Sequence, residues 1–203
     1  MASSLPSAPE FGAACPITAS DETLALLARR RSSSAALLRG SAPSADQLQD
    51  LIRIATRVPD HGKLAPWRFV VMRGEAKAAL VERLRALAPG QPNPDKASAT
   101  LAKLTAPPVT VMVVSSPKDA SAIPLWEQQL SAAAVCTLFL VAAGAMGFGA
   151  NWITDWYAYE PQARGILGLA EGEAVAGFIH LGTPAEPPQE RDRPDVQSLI
   201  SYL

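Results

Sequence analysis

The chain has 203 residues, enough for one domain with a substantial core and short for two. Apolar residues make up 48% of it, which excludes a disordered chain. A net charge of −1 excludes a global field that would recruit nucleic acid or anionic lipid.

Residues 1–20 are rich in Ser, Pro and Ala, carry no Lys or Arg, and contain no apolar run of signal-peptide length. They are read as a disordered tail ahead of a single domain over 21–203. Asp21-Glu22-Thr23 before Leu24, Leu26 and Leu27 marks a capped helix start, and that helix runs into Arg29-Arg30-Arg31. Ser44 can cap a second helix, in which Leu48, Leu51, Ile52 and Ala55 recur at helical spacing. Pro59-Asp60-His61-Gly62 stops it and forms a loop. Trp67 to Met72 has strand composition, and a helix is expected from about Ala76 to Leu87.

Pro89 to Pro94 reads as a mobile loop. Val109 to Val114, bracketed by Pro108 and Pro117, is apolar on both faces and therefore a central strand. A long helix follows from about Trp126 to Met146, then a short one over Pro161 to Leu167. Ala174 to Leu181 is a second buried strand, and the Pro- and charge-rich remainder reads as an extended C-terminal arm. Strands and helices do not alternate regularly, which points to an α+β fold over a doubly wound sheet.

Leu130 to Ala150 contains no charged residue and is long enough to cross a bilayer. Its Ala, Ser and Gly supply little transfer energy, its flanks carry Glu127 and Asp155 instead of basic anchors, and three glycines interrupt its end. A helix apolar on all sides is also what the core of a soluble dimer requires, so no membrane association is expected. Cys15 and Cys136 lie far apart, and neither has a Cys or His at ligand spacing. No metal site or disulfide framework is expected, which fits a reducing, cytoplasmic compartment. Cys136 reads as a small core residue.

No P-loop, no nucleophile elbow and no dinucleotide fingerprint in the right strand-to-helix context occurs. His180, inside a buried strand, reads as a packed and hydrogen-bonded residue. Three segments carry candidate chemistry. Arg30-Arg31-Ser32 puts two guanidiniums and a hydroxyl within three residues, the groups a phosphate requires, although a basic helix end also complements the helix dipole. Arg57 to Trp67 crowds polar and cationic groups into a loop feeding a core strand, where His61 either bridges to a ligand or lies idle on the surface. In Gly147 to Thr154, small residues permit close approach to a flat ligand, and Trp152 either covers a ring or packs in the core.

The ordered set of Arg30-Arg31-Ser32, Arg57-x-Pro-Asp-His61 before Pro66-Trp67, Trp126-Glu127-Gln128 opening a long Ala-rich helix, and Gly147-Phe148-Gly149-x-x-Trp152 resembles the nitroreductase family, in its short single-module branch. The resemblance covers about Glu22 to the C-terminus, including Gly177 to Pro184. It implies a nitroreductase-like α+β fold, with a central, mostly antiparallel sheet flanked by helices. It also implies a homodimer formed through long central helices, with two FMN sites at the interface and the C-terminal arm reaching over the partner subunit. Arg30, Arg31 and Ser32 would hold the phosphate and ribityl chain; Arg57 and His61 would contact the flavin, donated by the other subunit; Trp152, Ile153 and Thr154 would line it; Arg193 would assist the phosphate.

The implied reaction is ping-pong transfer of hydride from NAD(P)H through flavin N5 to a nitroaromatic, quinone or enone acceptor, with no obligatory protein acid or base. Rival readings are a dehalogenase-like or flavin-consuming enzyme on the same scaffold, or a non-enzymatic flavin-binding protein. Many family members place an Asn and a Gln shortly before the Pro-Trp pair. Here Gly62, Leu64 and Ala65 occupy that stretch, leaving Arg57 and His61 as the candidates for the flavin's polar edge.

Overall fold

The structure is a computed structural model that describes residues 5–118 and 122–203; the first four residues of the expected tail lie outside the described residues. In chain order the elements are α1 (Asp21–Arg29), β1 (Leu38–Arg39), α2 (Ala45–Ala55), β2 (Trp67–Arg73), α3 (Gly74–Arg85), α4 (Pro94–Thr100), α5 (Ala102–Thr105), β3 (Val109–Ser115), α6 (Leu125–Ala145), β4 (Gly149–Ile153), α7 (Pro161–Leu167) and β5 (Ala174–Pro184). The fold is the expected α+β arrangement. Its sheet is antiparallel throughout, with β5 bonded to β3 along one edge and to β4 and β1 along the other, and β2 outside β3.

The sheet separates two cores. Val109, Val111 and Val113 of β3, with Ile179 and Leu181 of β5, face α2 and α6. Met112 and Val114, with Phe178, face the layer that contains α3 and α7. Alternation therefore buries both faces of β3, and all seven of its residues are buried, as its near-continuous apolar run predicts. Local signals set several ends. Ser44 and Gln47 form a capping box at α2, and Ser20 caps α1 by accepting from the Thr23 N–H.

Two expectations change. The Pro89–Pro94 stretch is not one open loop: Ala88–Gly90 is a 3₁₀ turn, and Asn93 caps α4 with Pro94 in its first turn. Two strands also go unseen in the sequence. β1 is two residues long, and β4 follows directly on the helix-terminating glycines, where its pattern reads as a loop.

Long-range polar contacts tie the layers. Arg68 on β2 grips Glu173 with two bonds, Nε to Oε1 at 2.7 Å and Nη2 to Oε2 at 2.5 Å, and donates to the Gly168 carbonyl at 2.7 Å. The Arg68 hydrogen bond, above all, holds the Glu173 carboxyl down to about 2. Among the described residues α6 is the one helix long and apolar enough to cross a membrane. Here it is a core element: Val135, Cys136, Phe139 and Ala143 are fully buried in the α2-side core. From residue 185 the chain runs over the surface as an arm, broken only by a 3₁₀ turn at Val196–Leu199.

Candidate functional site

Helix α1 ends at Arg29, and Arg30 caps it with extended backbone, so the basic triplet turns off the helix end. The Ser33 N–H donates to the Ala150 carbonyl at 2.9 Å, which lays residues 30–33 beside β4. Asn151 Nδ2 donates to the Ser33 carbonyl at 2.5 Å and reinforces that contact; its buried Oδ1 has no partner among the described residues. Gly149 makes this approach possible, because a Cβ there would stand 2.8 Å from Pro184 Cδ and 2.9 Å from Leu38 Cδ2 and Ser33 Oγ. The glycine expected to admit a flat ligand is therefore used by the protein's own packing.

Between α1 and α6 lies a cavity of about 360 Å³. Its lining includes Leu26, Arg29, Arg30, Arg31, Leu140 and Phe148. Arg30 Nη1 reaches Ser32 Oγ at 3.4 Å, and among the described residues Arg30 meets no carboxylate. Arg31 is engaged differently: Nε donates to the Gln189 carbonyl at 2.8 Å and stands 3.5 Å from Glu190. Glu190 in turn accepts from Arg193 Nη2 at 3.0 Å. The arm thus brings Arg193 into the surroundings of its own chain's Arg31, with one carboxylate between them. The Arg191 backbone N–H, followed by Arg193 and Arg31, holds that exposed carboxyl below the ordinary range.

Residues 152–154 adjoin this cluster through β4, but the Trp152 side chain is committed elsewhere. Its indole lies on Gly177 of β5, and Nε1 donates to the Ala176 carbonyl at 3.1 Å. A register shift between Val113 and Val114 leaves Ala176 without a partner residue on β3, the irregularity of a β-bulge. Trp152 packs against the α2-side core, so its contribution to a ligand site is confined to backbone and ring edge. Thr154 Oγ1 bonds Tyr159 Oη at 2.7 Å.

Arg57 and His61 stand apart. The loop carrying His61 is held at the first turns of α6, where His61 Nδ1 meets Glu127 Oε2 at 2.7 Å and Ser131 Oγ donates to the Pro59 carbonyl at 2.6 Å. Arg57 is exposed and lines a shallow cleft with residues 5–9, Arg53 and Ile54. The basic triplet lies by Leu140 and Gly144, at the other end of the helix. From Ser131 to Gly144 the axial rise is roughly 20 Å. One chain therefore unites Arg30, Arg31, Ser32, Arg193 and β4, and leaves Arg57 and His61 distant. In the sequence Asn151 carries no signal of its own, and Glu127 is simply part of the Trp126-Glu127-Gln128 opening of the long helix. Asn151 lies within the Gly147–Thr154 segment, but only strand pairing shows which backbone it ties down.

An antiparallel sheet between two helical layers, with a basic, hydroxyl-flanked rim at its β4 edge, defines an α+β protein with a candidate phosphate-binding site. The family model described as Nitroreductase family matches residues 27–183. The chain is 35% identical over 166 residues to YdjA of Escherichia coli K12, assigned by name as an NAD(P)H nitroreductase, covering 80% of this chain and 88% of that one. It is 32% identical over 187 residues to a protein of Haemophilus influenzae given the same activity by name, covering 90% and 100% respectively. Among solved structures, a nitroreductase-like family protein from Bacillus cereus superposes with a TM-score of 0.78 at 22% identity, covering 93% of this chain and 99% of that one. A nitroreductase with bound FMN from Bacteroides fragilis superposes at 0.69 with 21% identity, covering 91% and 100%. The chain belongs to the nitroreductase family.

Proposed function

We propose that this protein is an FMN-dependent oxidoreductase that draws reducing equivalents from NAD(P)H and delivers them to a small acceptor such as a nitroaromatic, quinone or enone. The observation that carries the reading is Arg30: a half-buried guanidinium at the rim of the 360 Å³ cavity, touching Ser32 and facing no carboxylate among the described residues. Two fixed guanidiniums and a hydroxyl are the donor set that binds a phosphate dianion, and the volume falls in the range of small-molecule sites. The bound FMN found in the Bacteroides fragilis relative supports the choice of mononucleotide. When bound, FMN supplies the hydride-accepting and hydride-donating chemistry, and the protein contributes binding, orientation and charge. Arg30, Arg31, Ser32 and Arg193 are assigned to the phosphate, and the backbone of Trp152, Ile153 and Thr154 to the ring. NAD(P)H and the acceptor are expected to bind in turn at one mouth, giving ping-pong kinetics.

Arg57 and His61 join the site from a second chain. Helix α6 leaves Leu125, Trp126 and Leu130 exposed, and α1 leaves Leu24 and Leu27 exposed, an apolar surface suited to a partner. A two-fold axis that packs α6 antiparallel to its copy sets the Glu127 end of one chain against the Gly144 end of the other. It closes the roughly 20 Å gap estimated from helix rise. Two free thiols, Cys15 and Cys136, accord with a cytoplasmic setting.

The deciding experiment is an absorption spectrum of the purified protein followed by anaerobic NAD(P)H titration. Full bleaching of the flavin band, with recovery of colour and intact FMN on adding a nitroaromatic, is the expected outcome. A yellow protein that NAD(P)H leaves unbleached is a flavin binder and not this enzyme; a colourless one that takes up no FMN removes the reading altogether.

Arg30→Ala is expected to weaken FMN retention by roughly 1.5–3 kcal/mol, the worth of a hydrogen bond to a charged group. Mixing Arg30→Ala chains with Arg57→Ala chains should regenerate one native site per heterodimer. Hybrids that bind no better than either parent would place both arginines in the same chain's site.

A further inference from the structure

The loop between α2 and β2 has a backbone that its residues do not favour. Gly62, Lys63 and Ala65 all have positive φ, at 73°, 54° and 46°, and two of the three carry a Cβ. Non-glycine residues hold that conformation only where surrounding contacts over-determine it. The contacts are visible. Asp60 Oδ2 accepts from the Ala65 N–H at 2.8 Å within the loop. From outside, Glu127 and Ser131 hold His61 and Pro59 respectively. These two residues are four apart on α6 and therefore share one helix face.

The Glu127–His61 bond also fixes a proton. A carboxylate only accepts, so at 2.7 Å the imidazole Nδ1 must be the donor, and Nε2 is the ring nitrogen left for any further partner. Both side chains are partly open to solvent, His61 at 62% and Glu127 at 43%, so the pair adds little to stability and its geometry needs another reason. At the head of α6 the carboxylate is also favoured by the helix dipole.

We propose that Glu127 is a positioning residue, acting through His61: it holds the imidazole as the Nδ1–H tautomer and aims Nε2 at the flavin's polar edge, while Ser131 anchors the same loop. This rests on the flavin reading above for the identity of what Nε2 meets. The stretch between His61 and the Pro66-Trp67 pair leaves the imidazole as the candidate for that edge. That stretch is Gly62-Lys63-Leu64-Ala65, with no side-chain amide.

The test has two readouts. Nitrogen-15 NMR of the imidazole in the FMN-free protein is expected to show the Nδ1–H form in the native chain and a shift toward Nε2–H in Glu127→Ala. In parallel, FMN dissociation constants are measured for Glu127→Ala, His61→Ala and the double variant. Each single change is expected to weaken FMN binding roughly tenfold, as for loss of a hydrogen bond in a charged network. The double variant should be no worse than His61→Ala, because Glu127 acts only through the imidazole. Nε2–H in the native protein, an unchanged tautomer in Glu127→Ala, or additive losses in the double variant would each overturn the assignment. A native protein that takes up no FMN would instead strike the flavin reading, and the tautomer readout would still decide whether Glu127 fixes His61.

Discussion

Acidification below pH 6.5 is expected to destabilise the protein by on the order of 1 kcal/mol per pH unit through His180 alone, down to about pH 3. His180 is fully buried on β5, its Nδ1 2.9 Å from Thr110 Oγ1 and its ring stacked on Phe178. Burial above all, then the charges of Lys77 and Lys103, push its pKa from 6.5 down to about 3. In that interval the unfolded chain binds a proton that the folded chain refuses. The contribution is therefore intact above the ordinary histidine pKa and drains away as pH falls toward the depressed one. Against a typical total stability of about 5–15 kcal/mol the effect is large.

The measurement is denaturant unfolding of the native protein and His180→Gln between pH 7.5 and 4. The difference in stability between them should be constant above pH 6.5 and move against the native protein below it. Glu173, held down to about 2, loses stability as pH falls from 4.5 toward 2, but it is common to both proteins and cancels. A difference that stays flat across the whole range would mean that the ring ionises freely in the fold.

Replacing Gly177 with alanine is expected to cost about 3 kcal/mol, the size of a badly overpacked core site, and to lower the melting temperature by roughly 10 °C. A Cβ at this position would stand 2.0 Å from Trp152 Nε1 and 2.3 Å from Cδ1. No rotation about a single bond of a small group relieves that. The whole indole must leave, breaking its bond to the Ala176 carbonyl and its packing in the α2-side core. Thermal unfolding of Gly177→Ala, Trp152→Ala and the double variant separates the causes. The double variant should be little worse than Trp152→Ala, because the clash vanishes with the ring. A Gly177→Ala protein as stable as the native one would show that the ring is not seated there.

Much of the architecture was legible because local physics and burial agree. β3 reads as a central strand since β-branched residues fill both of its faces. Helix α2 has a cap and an apolar stripe at helical spacing. Pro161–Leu167 is bounded by Pro161 at the first turn and by Gly168, whose left-handed backbone ends the helix. His180 and Cys136 were recognisable as buried because their neighbours are apolar throughout. Where these signals are missing, the reading failed. The short strand β1 carries too few residues for a period, and β4 borrows its strand identity from pairing with residues 178–182 of β5. The 3₁₀ turn and capped helix around Pro89–Pro94 have the composition of a loop, and packing decides their conformation.

For the site, residue chemistry named the candidates and the fold sorted them. Two guanidiniums and a hydroxyl in three residues need no structure to be recognised as a potential phosphate cradle, since the donors are adjacent in the chain. What sequence spacing cannot hold is distance through space. Only the tertiary structure sets Arg193 near Arg31 through Glu190, commits the Trp152 indole to Gly177, places His61 at the far end of α6 and puts Arg57 in a separate cleft. The reason is that hydrogen-bond donors act over about 3 Å, whereas the chain brings them together by long-range pairing and helix packing that no local pattern encodes.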